Sequence, residues 1–146
     1  MATHHDAELI LKLYDLRRES EMRKARTFLG FEFWPNSAED FAKGPSVPGS
    51  DANRYWRQGI SFWEMAAQLA LHGSLDEALF LDTAGEMFFF FAKFKPFLAD
   101  IRKNQPDALK AIETLINRSE AGKQKLAAFE QRVNAAKQRM QQAAKA

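Results

Sequence analysis

Residues 51–71, DANRYWRQGISFWEMAAQLAL, decide the fold. Trp56, Ile60, Trp63, Ala67 and Ala70 recur at steps of four and three, and Tyr55, Phe62, Ala66 and Leu69 widen the same sector. That pattern is a helix buried over most of its circumference. Asp51 is a suitable N-cap, and His72 with Gly73 supplies the stop. Gly59 costs about 1 kcal/mol relative to alanine in a helix interior. Close approach of a second helix there would offset the cost. A helix this apolar needs helices on several sides of it.

Downstream, Ser74 with Glu77 and Thr83 with Glu86 have capping-box spacing and predict two successive helix starts. The first helix, Leu75 to Leu81, is short. The second begins at Ala84, carries Met87, Phe91, Phe94, Leu98 and Ile101, and is kinked near Ala92 by Pro96. Asn104 or Gln105 caps a last helix with Pro106 in its first turn, running nearly to Ala146. Ile112, Leu115, Ser119, Gly122, Leu126, Phe129, Val133, Ala136, Met140 and Ala143 keep its three-four spacing, and Ser119 and Gly122 mark where it would bend.

Upstream, Asp6 caps a helix through Leu9, Leu13 and Leu16 to Phe28-Leu29, with Gly30 as its stop. Its charged side, Arg17 to Arg26, reads as solvated. Trp34-Pro35, Gly44-Pro45 and Pro48-Gly49 break the pattern between Gly30 and Ser50, leaving one short helix, Ser37 to Lys43. A connection of that length is either a binding edge or a plain link. No segment alternates like a strand, and no repeat is present. The expected architecture is an all-α bundle of about four main helices plus short ones. Residues 1–117 form the body, including loop 30–50, and 118–146 form a basic C-terminal helix packed on the same domain.

The 146 residues are 46% hydrophobic, enough for one core, and the net charge is +2. There is no cysteine, so thiolate chemistry, disulfides and cysteine-based metal sites are excluded. Met1 to Glu8 lacks the pattern of a secretory signal, and the apolar run Met87 to Ala92 is too short to span a bilayer. A cytoplasmic location is the expectation. The charge is uneven: residues 118–146 hold seven basic and two acidic residues, leaving the remainder acidic. The simplest partner for the basic helix is its own body. A parallel coiled-coil homodimer is disfavoured, because it would set Arg118 against Lys123 and Arg132 against Lys137.

Chemistry-bearing motifs are sparse. His4, His5 and His72 have no metal-ligand spacing, so no metal is expected, and there is no Gly-x-Ser-x-Gly elbow. Phosphate loops and dinucleotide fingerprints are absent, so no cofactor is implied. Glu77 and Glu86 have a structural role as capping partners. Glu64 interrupts an apolar stretch and is either exposed or paired with Arg54 or Arg57, or part of a polar pocket, or catalytic. Phe88, Phe89, Phe90 and Phe91 cover every side of one helix. Either that helix is central, or an aromatic ring faces a partner, or the rings line a pocket with Trp56 and Trp63.

Glu8-Leu-Ile-Leu-Lys-Leu-Tyr-Asp-Leu-Arg-Arg18, Tyr55-Trp-Arg through Phe62-Trp-Glu-Met-Ala-Ala67, and Gly85-Glu-Met-Phe resemble an uncharacterised family of small all-helical bacterial proteins. The resemblance implies a helical bacterial protein and brings no activity with it. Three functions stay open. The leading expectation is a non-enzymatic interaction or adaptor module meeting another protein through Phe88 and Phe89 or through Lys125, Arg132 and Arg139. The alternative is a small-molecule-binding protein or enzyme with a pocket at Trp56, Trp63 and Glu64. The third is nucleic-acid or anionic-surface binding through the basic last helix.

Overall fold

The computed structural model describes residues 1–146 and holds only helices and their connections. In chain order these are α1 (His4–Leu16), α2 (Ser20–Thr27), a π-helical turn (Phe28–Glu32), α3 (Ala38–Lys43), α4 (Asp51–Leu71) and α5 (Glu77–Thr83). There follow α6 (Gly85–Phe94), a 3₁₀ turn (Lys95–Phe97), α7 (Leu98–Asn104), α8 (Lys110–Asn117) and α9 (Glu120–Lys145). The protein is an all-α bundle with a long C-terminal helix, and α1, α4, α6 and α9 are its longest members.

Helix α4 is the hub on one side, packing on α2 and α8, while α6 occupies the other and packs chiefly on α9. One core joins them, and it includes Trp56, Trp63, Phe80, Phe88, Phe90, Phe91 and Phe94. The aromatic run therefore marks a central helix: Phe88, Phe90 and Phe91 are fully buried and only Phe89 reaches the surface. At Gly59 an added Cβ would lie 2.3 Å from Leu29 Cδ1, so the glycine admits the π turn against α4.

Capping details differ from the sequence reading in an instructive way. Thr3, not Asp6, is the N-cap of α1, and Asp6 closes the capping box from the third helical position. Ser50, not Asp51, caps α4 by accepting from Asn53 N–H. Asp76 caps α5 in place of Ser74. The box at Thr83 and Glu86 does not form: Thr83 donates back to the Leu79 and Phe80 carbonyls, and Ala84 takes the N-cap position without a side-chain bond.

The long helices of the sequence reading are also broken. Arg17 to Glu19 interrupts the first, where Glu19 caps α2 through Glu21 and Met22 N–H, so the chain turns well before Gly30. Gly30 itself sits buried inside the π turn. Pro96 replaces a kink near Ala92 with a full 3₁₀ turn at Lys95–Phe97. Pro106 does not open a helix: it lies in a turn, and α8 starts at Lys110 after Leu109 adopts φ 56°. Ser119 caps α9 by accepting from Gly122 N–H, which realises the break anticipated there.

Candidate functional site

Of the three residues expected to share a pocket, Trp56 and Glu64 border one groove and Trp63 does not. Trp56 turns into the core, meeting Phe41 and Phe94 edge to face at centroid distances of 5.4 and 4.8 Å. Trp63 points elsewhere, toward Phe80 and Glu86. Glu64 accepts from the backbone N–H groups of Ala111 (3.3 Å) and Ile112 (3.0 Å), satisfying free donors at the start of α8. Burial pushes its carboxyl above the ordinary carboxylate value, and those two bonds oppose the shift. Neither Arg54 nor Arg57, the two expected partners, pairs with it: Arg54 pairs with Asp51 and Glu21, and Arg57 forms no ion pair. Trp56 and Glu64 border an open groove of about 840 Å³, which is lined mostly by polar residues and is shared with the turn at Gln105 to Leu109. Of the loop 30–50, only Gly49 and Ser50 reach it.

Glu86, explained in sequence as a capping residue, is the electrostatic centre of the opposite side. Its Oε2 receives Arg26 Nε at 2.7 Å and Arg17 Nη2 at 3.3 Å, and its Oε1 receives the Trp63 indole N–H at 3.2 Å. Arg17 also lies over the Trp63 ring, 5.1 Å from its centroid. Two cations on one carboxylate leave the cluster positive, and the buried Arg17 Nε has no hydrogen-bond partner. The charged side of the first helix is thus only partly solvated: Arg17 and Arg26 turn inward because Glu86 faces them from α6.

The π turn creates a second unforeseen feature. Phe33 N–H donates to the Phe28 carbonyl at 2.8 Å, five residues back, so the Leu29 carbonyl loses the amide it would have accepted in an α-helix. Lys93 from α6 donates to it at 2.6 Å. Its ammonium lies 3.9 Å from the Trp34 ring centroid and is the one buried charged side chain of the core. With no carboxylate to compensate burial, its pKa falls to about 7.

The same turn presents Phe31, whose side chain is 78% exposed. Phe31 stands at the mouth of a groove of about 510 Å³ walled by Arg23, Arg26 and Thr27 on one side and by Gly85, Phe89 and Phe129 on the other. Phe89 also meets Trp34 edge to face at 6.1 Å. Arg132 covers the Phe129 ring at 4.5 Å. Of the candidate partner contacts, Phe89 borders this groove, whereas Phe88 is completely buried against Phe129 and presents nothing.

Helix α9 divides into two parts. Gly122, Leu126 and Val133 are buried and Phe129 is half-buried, while from Asn134 onward only Ala136 and Lys137 are even partly covered. Lys125 is used internally: its ammonium donates to the Leu81 and Asp82 carbonyls at the end of α5, and burial lowers its pKa. Arg118 pairs with Glu77 and Lys123 with Glu120. Arg132, Lys137, Arg139 and Lys145 form no ion pair, and no carboxylate follows Glu130. The body supplies one carboxylate, Glu77 for Arg118, and two carbonyls for Lys125, and pairs with none of the other basic side chains from Arg118 onward.

Sequence reasoning missed Phe31, Phe129 and Lys93 as site residues. Phe129 was visible only as a member of the last helix's apolar pattern, Phe31 fell in the irregular segment after Gly30, and Lys93 was only a charge bordering an apolar run. No group of three or more His, Asp or Glu is placed to hold a metal ion, and no helix is long and apolar enough to cross a membrane. A family model described as a domain of unknown function (DUF4760) matches residues 2–119. That span stops on the N-cap of α9, so the helix that walls the aromatic groove lies beyond it. No curated protein and no solved structure matches the chain.

Proposed function

We propose that this chain, which belongs to the DUF4760 family, is a helical protein-interaction module whose contact surface is the Phe31 groove together with the outer half of α9. The observation that carries the reading is Phe31. A large aromatic ring 78% exposed beside the partly buried Phe89 and Phe129 is apolar surface the fold itself leaves uncovered. Aromatic and arginine side chains gathered at one concavity are the residues that dominate binding energy at protein interfaces, and Arg23 and Arg132 flank these rings. A cytoplasmic setting belongs to the same proposal, since a cysteine-free chain gains nothing from an oxidising compartment.

The test is affinity capture from native lysate with the full chain, Phe31→Asp, and a truncation ending at Asn134. A truncation at Asn117 is unsuitable, because it strips Leu126 and Val133 from the core. Partners retained by wild type and lost by Phe31→Asp, with both proteins equally folded by circular dichroism, support the reading. Partners unaffected by both changes contradict it.

A further inference from the structure

We infer that the occupant of the groove is an acidic amphipathic helix of another protein, with apolar side chains seated among Phe31, Phe89 and Phe129 and carboxylates facing Arg23, Arg132 and outer α9. The inference rests on the reading of the groove as a partner site. The groove's two walls are helical, formed by α2 with its π turn and by α6 with α9. Such a concavity takes the apolar face of a helix. The chain has no strand, so no sheet edge exists to receive an extended peptide.

Charge selects the sign of the partner. Glu86 is the only acid in the lining, and Arg17 and Arg26 together already exceed it. Arg23 and Arg132 make no ion pair, and past Arg132 the exposed helix adds Lys137, Arg139 and Lys145 with no carboxylate among them. Unpaired cations beside an apolar groove favour a partner of opposite charge and repel one of the same sign. A second copy offering its own α9 carries that same positive sign and is disfavoured. The concave apolar floor also distinguishes the site from a flat basic surface for polyanions.

The test selects peptides from a random display library on the full chain. Each enriched peptide is then measured by fluorescence anisotropy against wild type, Phe31→Ser, Phe31→Asp and Arg132→Glu. Single-stranded DNA and vesicles containing phosphatidylserine run in parallel. The expected peptides are net negative with apolar residues three and four apart. Their affinity should fall at least about tenfold with either Phe31 variant, as for an interface anchor, and it should weaken with Arg132→Glu and with added salt. Neutral or basic peptides that still require Phe31 overturn the acidic helix and leave the groove as a partner site. Binding of DNA or vesicles that requires Phe31, with no such peptide enriched, overturns both in favour of a polyanion. No ligand that depends on Phe31 overturns both outright.

Discussion

Glu64 and Glu86 both interrupt apolar stretches, yet they do opposite work. Glu64 meets only backbone: two amides at the start of α8, at the rim of an open polar groove. Glu86 meets side chains from two other helices, gathering Arg17 of the α1–α2 junction, Arg26 of α2 and Trp63 of α4 onto one carboxylate. The first arrangement is local and completes a helix end. The second ties three segments that are distant in sequence, and it does so beside the aromatic groove. The lesson is that an acid's importance follows from what its partners would lose without it, and two of the Glu86 partners, Arg17 and Arg26, are charged and partly buried.

The sharpest test of that contrast is Glu86→Ala. Removing one partner of a buried ion pair costs about 3–5 kcal/mol, and partial exposure of Arg26 sets the expectation near the lower figure. Thermal denaturation should show a large fall in melting temperature, with less damage from Arg26→Ala than from Arg17→Ala. Equal damage from Glu64→Ala would erase the distinction.

Lys93 extends the comparison, because it is a buried cation on the Glu86 side with no acid of its own. Its pKa is lowered to about 7 in the folded chain from an ordinary value of 10.5. The unfolded state therefore binds more protons between about pH 7 and 10.5, and stability rises with pH in that window. Denaturant titrations should show the wild type gaining about 2 kcal/mol relative to Lys93→Met between pH 7 and pH 9. A pH-independent difference would mean that the ammonium is not desolvated by the fold.

Next in size is Glu64→Ala, for which loss of a helix-capping acceptor predicts about 1 kcal/mol. The smallest effect belongs to outer α9: truncation after Asn134 removes exposed residues and should change stability by less than about 0.5 kcal/mol. A larger loss would show that the outer half packs on the body after all.

The helical class was legible because Trp56 to Ala70 repeats with helical period, and the core positions followed from the same period. Gly59 signalled close approach correctly, since the spacing left no other use for it. The helix break at Ser119 was visible in the weakened seam at Ser119 and Gly122, whereas the break at Glu19 was not, because a polar cap inside a periodic run looks like a surface residue until the chain turns. Of the proposed site only Phe89 and the outer basic residues of α9 were legible. Capping-box spacing is a local rule, so it assigned Glu86 to Thr83 and gave no notice of Arg17 and Arg26, which only tertiary packing delivers. The π turn has no sequence signature, and without it neither the exposure of Phe31 nor the use of Lys93 could be anticipated.

The central claim is that partners dock on the Glu86 side and leave the Glu64 side free. One measurement addresses it directly: the affinity of a captured partner, or of a selected acidic peptide, for Phe31→Ser and for Ser61→Arg, the latter obstructing the polar groove. The account predicts a loss of at least about tenfold for Phe31→Ser and no change for Ser61→Arg. Retained affinity in Phe31→Ser with loss in Ser61→Arg would contradict it.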